Sequence, residues 1–123
     1  MKKILIVEDE PNLRDGIVTA FHDRGWRVVA AADGDEAFRA LEGEVFDMVV
    51  TDYKMPGANG LDVIKRTKML NDGTLVLMMT AFHYDKDHII KRSRMEGLEG
   101  VIFKKPVDPD RLRATIIDSV RKS

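Results

Sequence analysis

Several polar residues of this chain stand directly behind short apolar runs that read as strands. Glu8 and Asp9 follow Lys3–Val7, Asp52 follows Phe46–Thr51, Thr80 follows Thr74–Met79, and Lys104-Lys105-Pro106 follows Val101-Ile-Phe103. Three carboxylates gathered within a few ångströms repel one another. At ~4 Å and an effective dielectric of about 20 each pair costs ~4 kcal/mol. Protonation, a lysine or a divalent cation must offset that cost. Hard oxygen ligands suit Mg²⁺, which keeps several waters and shares its shell with phosphate. The pattern therefore reads as a site for a metal plus a phosphoryl group. Asp52 is placed to attack phosphorus, Lys105 to neutralise a phosphoryl oxygen, and Thr80 to donate a hydrogen bond to another. Taken singly, an Asp at a strand end is a helix cap or turn residue, and a lone Thr or Lys-Pro is structural. The gathering of these groups at four strand ends is what carries the reading.

Those residues meet only if the strands lie side by side, and the rest of the chain supplies that arrangement. Pro11 opens a helix after Asp9 and Glu10, with Leu13, Ile17, Ala20 and Phe21 at helical spacing and Gly25 closing it. Trp26–Ala31 reads as a second strand, and Asp33 with Glu36 has the pattern of a capping box before a helix through Ala37, Phe38 and Leu41. Met55-Pro-Gly-Ala-Asn-Gly60 is a loop, Leu61–Leu70 a helix and Asn71-Asp-Gly73 a turn. Residues 86–96 have a helical pattern, and Asp108-Pro109 opens a last helix with Leu112, Ile116 and Val120 on one stripe. Five strands thus alternate with five helices. Strands apolar at nearly every position must be covered on both faces, which predicts a parallel sheet flanked by helices. Ligands in such sheets bind beyond the carboxyl ends of the strands, where the polar residues fall.

Composition narrows the class. The 123 residues suit one domain, taken as residues 1–123, and 44% hydrophobic with 33% charged residues excludes a disordered or low-complexity chain. No apolar run approaches the ~18–20 residues of a membrane helix. Met1-Lys2-Lys3 leads into only four apolar residues, so no signal segment is expected and the site is placed in the cytoplasm. Cysteine is absent, which removes disulfides and thiolate metal sites. The net charge of −1 gives no global field toward nucleic acid, and no basic-aromatic stripe is visible, so direct nucleic-acid binding is not expected. Charge is nonetheless uneven: residues 1–85 balance at −5 and residues 86–123 at +4. That points to an acidic site in the first part and a basic partner surface in the second, unless the bias only reflects solvated helix faces.

The set of motifs resembles the receiver domain of bacterial two-component response regulators, over the whole chain. It rests on Ile4-Leu-Ile-Val-Glu-Asp9, Val49-Val-Thr-Asp52, Met55-Pro56 with Gly60, Thr80-Ala81 and Lys105-Pro106. Each is weak alone; in this order and spacing they are highly specific. The resemblance implies an α/β, flavodoxin-like (βα)5 fold, with a five-stranded parallel sheet in the order 2-1-3-4-5 and helices on both faces.

It also implies roles. Asp52 is similar to the family's phosphoacceptor, Asp9 to its direct Mg²⁺ ligand, and Glu8 to a ligand acting directly or through water. Asp52 and the backbone carbonyl of Lys54 complete the implied metal shell. Thr80 is similar to the switch hydroxyl and Lys105 to the phosphate-contacting lysine. The implied donor is a phosphohistidine on a sensor histidine kinase or phosphotransfer protein. The implied recipients of the signal are an output domain or a downstream protein, with a phosphorylation-linked dimer among the forms it takes. The domain is implied to be a phosphoacceptor that catalyses only its own phosphorylation and dephosphorylation. Lys54 and Phe82, two residues beyond Asp52 and Thr80, fall where the family sets the rate of that dephosphorylation.

The chain departs from the family at two places. Thr80 and Lys105 are 25 residues apart, longer than usual, so that Lys104 competes with Lys105 as the phosphate lysine. The position of the family's switch aromatic holds Ile102, with Phe103 next to it. Two rivals of other classes remain: a small-molecule phosphatase resembling haloacid dehalogenases, which want an Asp where Lys54 stands, and a binding module that is never phosphorylated. Beyond His83 and His88, five apart and read as solvent-exposed rather than metal-binding, the three histidines share no compact metal spacing, and there is no glycine-rich nucleotide motif.

Overall fold

The computed structural model describes residues 2–53, 59–80, 100–103 and 114. In chain order these form β1 (Lys3–Val7), α1 (Pro11–His22), β2 (Arg27–Ala31), α2 (Gly34–Gly43), β3 (Met48–Asp52), α3 (Gly60–Leu70), β4 (Leu75–Thr80) and β5 (Gly100–Phe103). The strands make one sheet in the order β2-β1-β3-β4-β5, and every pair is parallel. The order is the expected one. The helix expected over residues 86–96 lies outside the described residues, as do residues 54–58 of the loop before α3; of the helix expected after Pro109 only Ala114 is described, and it is helical.

Continuous apolar strands give the sheet two buried faces. Leu5, Val7, Val49, Val76 and Met78 pack with Ala37 and Leu41 of α2 and with Val63 and Ile64 of α3. The alternate residues, Ile4, Ile6, Met48, Val50, Leu77 and Met79, pack with Ile17 and Phe21 of α1. A period of two along each strand therefore divides the apolar residues between the layers. Burying such a side chain contributes ~1.5–3 kcal/mol, so the central strands β1 and β3 are fixed in place from both sides.

Each helix begins where the sequence supplies a cap. The Glu10 carboxylate accepts from the amides of Asn12 (3.1 Å) and Leu13 (2.6 Å), and Pro11 takes the first helical position, where no amide is needed. Asp33 caps α2 through the Glu36 amide at 2.9 Å. The Glu36 carboxylate reaches back past the cap to the Ala32 amide, so the expected capping box closes one residue early. Asn59 and Asp62 form a full reciprocal box on α3. Gly25, after α1, adopts φ +82°, a conformation that favours glycine.

Some strand limits differ from expectation. Trp26 precedes β2; its amide donates to Phe21 and its ring meets the Phe21 ring edge-on at 5.2 Å. Phe46 is core without being strand, and its carbonyl accepts from the buried Thr74 hydroxyl at 2.6 Å. The Thr74 amide donates to the Asn71 carbonyl at 3.3 Å, in the turn that precedes β4. At the other end, β3 runs one residue further than expected, with Asp52 in register with Met79.

Candidate functional site

The register of β1 and β3 brings two carboxylates together. Val7 stands opposite Thr51, so the next residues on the two strands are Glu8 and Asp52. Neighbouring strands run ~4.8 Å apart, which sets the scale of the carboxylate separation before any side chain turns. Glu8 is fully buried and Asp52 is 4% exposed, while Asp9 is open to solvent. One carboxylate oxygen from each of Glu8, Asp9 and Asp52 lies within 4.8 Å of the others.

Glu8 and Asp9 owe their place to the short connection between β1 and α1. The Glu8 amide continues the ladder by donating to the Ala31 carbonyl at 3.0 Å. Its carboxylate Oε2 accepts from the Glu10 amide at 2.9 Å, and its backbone carbonyl accepts from Arg14 Nη1 at 3.1 Å. Asp52 is held from its backbone. The Thr51 hydroxyl donates to the Asp52 carbonyl (3.0 Å), and the Tyr53 amide continues onto the Met79 carbonyl (2.9 Å). The Gly60 amide donates to the Tyr53 carbonyl at 2.7 Å, which seats the start of α3 against this strand end.

The donor set fits a small, hard divalent cation. With bonds of about 2.1 Å, oxygens on an octahedral Mg²⁺ lie ~3 to ~4.2 Å apart. The carboxylates here are close to that spacing, and a dication offsets their repulsion. A cluster of three acids from two neighbouring strand ends, two of them buried, can hold a metal and present one carboxylate oxygen to an electrophile.

Thr80 is the last residue of β4, one position beyond the partner of Asp52, and its backbone pairs with Phe103. β5 contains Ile102 and Phe103 and ends immediately before Lys104. Lys54, Phe82, Lys104 and Lys105 lie outside the described residues. The structure thus brings together Glu8, Asp9 and Asp52 and places the Thr80 backbone at the same edge. The sequence reading missed the parts played by Glu10 and Arg14. Glu10 gave some signal, as a carboxylate directly before Pro11; Arg14 gave none.

Comparison with known proteins follows the same lines. A family model described as the response regulator receiver domain matches residues 4–117. Sporulation initiation phosphotransferase F of Bacillus subtilis is 34% identical over 121 residues, covering 98% of this chain and 92% of that protein. A CheY-like response regulator receiver domain protein from Methanospirillum hungatei superposes with a TM-score of 0.87 at 26% identity, over 99% of this chain and 95% of that one. The Thermotoga maritima response regulator TrrA, solved in complex with Mg²⁺-BeF, gives a TM-score of 0.80 at 25% identity, over 97% of this chain and 99% of its own. Several other curated relatives are longer, and the chain spans between 28% and 44% of their length.

Proposed function

This chain belongs to the response regulator receiver domain family, and from that premise we propose that Asp52 accepts a phosphoryl group in a Mg²⁺-dependent reaction. The observation that carries the reading is the convergence of Glu8, Asp9 and Asp52 within 4.8 Å at the carboxyl edge of the sheet. The donor is a phosphohistidine on a sensor histidine kinase or phosphotransfer protein. A carboxylate oxygen of Asp52 attacks phosphorus in line, a P–O bond forms, the P–N bond breaks, and the imidazole leaves with the electron pair. A bound divalent cation supplies charge neutralisation for the carboxylates and the phosphoryl oxygens. Glu8 and Asp9 would hold that cation, together with Asp52 and the Lys54 carbonyl. Asp52 itself is nearly buried, so it meets its electrophile with little competing water.

Lys105 neutralises a second phosphoryl oxygen, and the Thr80 hydroxyl donates to a third. The position of the Thr80 backbone, one step beyond Asp52 on the neighbouring strand, supports that assignment. Catalysis here is positioning and charge neutralisation, and the same site later hydrolyses its own acyl phosphate. The modified domain then signals to an output domain or a separate protein. Among the described residues no helix is long and apolar enough to cross a membrane, and the reading places the domain in the cytoplasm with its phosphodonor.

Incubation with acetyl phosphate and Mg²⁺, followed by intact-mass measurement, tests this. A single phosphoryl adduct that forms only with the cation present is the expected result. Sustained turnover of the donor would instead indicate a small-molecule phosphatase. No adduct with any donor would indicate an unphosphorylated binding module.

A further inference from the structure

We propose that Arg14 is a positioning residue for the cation site: by holding the Glu8 carbonyl it sets the placement of the Glu8–Asp9 pair and hence the affinity for Mg²⁺. The inference rests on the reading of Glu8, Asp9 and Asp52 as a cation site. Only residues 8–10 connect β1 to α1, and two of the three site carboxylates sit in that connection. The sheet ladder holds the segment as far as the Glu8 amide, which donates to Ala31. The Glu8 carbonyl accepts from Arg14 Nη1 at 3.1 Å, in a half-buried setting.

Arg14 is a firm support for such a bond. It lies three residues before Ile17 and seven before Phe21, the two fully buried side chains that seat α1 on the sheet. Residues at that spacing share a helix face. The guanidinium thus ties the strand end to a helix whose own position is fixed by packing. A second bond, from the Glu10 amide to the Glu8 carboxylate, fixes the side chain that the Arg14 bond leaves free to turn. Backbone and carboxylate of Glu8 are therefore held separately.

Charge and placement act in opposite directions here, which makes the inference testable. A guanidinium beside acidic ligands repels a dication, so if charge alone mattered its removal would tighten Mg²⁺ binding. If Arg14 positions the loop, its removal weakens binding, because the carboxylates must then be ordered when the ion arrives. The full chain is titrated with Mg²⁺ by calorimetry, as the parent and as Arg14→Met, Arg14→Gln, Arg14→Lys and Asp9→Ala. Melting in metal-free buffer shows which variants are folded at the titration temperature. We expect the folded neutral variants to bind Mg²⁺ roughly ten-fold more weakly than the parent. Arg14→Lys, which keeps a charged donor of similar reach, should recover most of that loss. Parent-like or tighter binding by a folded neutral variant overturns the inference while leaving the cation site intact, provided Asp9→Ala is weakened. If Asp9→Ala also binds as the parent does, the cation-site reading itself fails and the role of Arg14 with it.

Discussion

Gly60 and Asp52 approach so closely that a Cβ on Gly60 would stand 2.5 Å from the Asp52 carbonyl oxygen and 2.8 Å from the Tyr53 Cα. The obstacle is backbone, which cannot swing aside as a long side chain can. The first residue of α3 therefore has to be glycine if the helix is to seat on the strand that presents Asp52. Gly60→Ala is expected to destabilise the fold by ~1–3 kcal/mol through overpacking. It should also slow phosphorylation of Asp52, because the backbone that must yield is that of the proposed acceptor. Denaturant unfolding and the rate of acetyl phosphate labelling check the two effects. A variant with parent stability and parent rate would mean that α3 moves off the strand at no cost.

Glu10 should separate helix capping from site geometry. Its carboxylate caps α1, whereas its backbone amide holds the Glu8 carboxylate. Glu10→Ala removes only the first. Stability should fall by ~1 kcal/mol, the usual worth of an N-cap, with Mg²⁺ affinity close to that of the parent. A large loss of Mg²⁺ affinity would place the Glu10 side chain in the metal site.

Asp9→Ala should abolish most of the gain in thermal stability that Mg²⁺ gives the parent, since a ligand that binds only the folded state stabilises it by RT ln(1 + [L]/Kd), which shrinks as Kd rises. In metal-free buffer the same variant should melt slightly higher than the parent. Removing one carboxylate relieves repulsion in the cluster, and solvent screening at the exposed Asp9 keeps the gain small. Thermal melts with and without Mg²⁺ read both effects. An unchanged Mg²⁺-dependent shift would remove Asp9 from the metal shell.

Much of this was legible in the chain itself. The runs Ile4–Val7 and Val49–Thr51, apolar at nearly every position, can only belong to strands covered on both sides, and the acids that follow them must then share the sheet's carboxyl edge. Other features had no linear signal. Phe46 reads as strand because it is apolar and adjoins one, yet the Thr74 hydroxyl, 28 residues away, takes its carbonyl. Glutamate is a less common N-cap than Asp, Asn, Ser or Thr, so the double acceptor at Glu10 is visible only once α1 is built. The bond from Arg14 to the Glu8 carbonyl and the close approach of Gly60 to Asp52 are tertiary facts, set by where the packed helices come to rest.

The lifetime of the phosphoryl group should depend on Lys54 and Phe82. Hydrolysis requires a water in line behind phosphorus. A charged ammonium at Lys54 cannot act as a base, and the phenyl ring of Phe82 offers a water no hydrogen bond. Lys54→Asn and Phe82→Asn are each expected to speed decay several-fold, a barrier change of roughly 1 kcal/mol. The measurement is loss of phosphorylated protein with Mg²⁺ present and no donor. Parent-like decay in both variants would show that these side chains do not govern the water.

The phosphoacceptor assignment is tested most directly by locating the phosphoryl group. Parent and Asp52→Asn proteins are incubated with a phosphohistidine donor or acetyl phosphate and Mg²⁺, and the modified residue is mapped by tandem mass spectrometry after borohydride trapping. One adduct on Asp52 in the parent, absent when Mg²⁺ is chelated and absent in a folded Asp52→Asn variant, is the predicted result. Equal labelling of Asp52→Asn, or a parent adduct mapped to another residue, would contradict the assignment of Asp52 as acceptor.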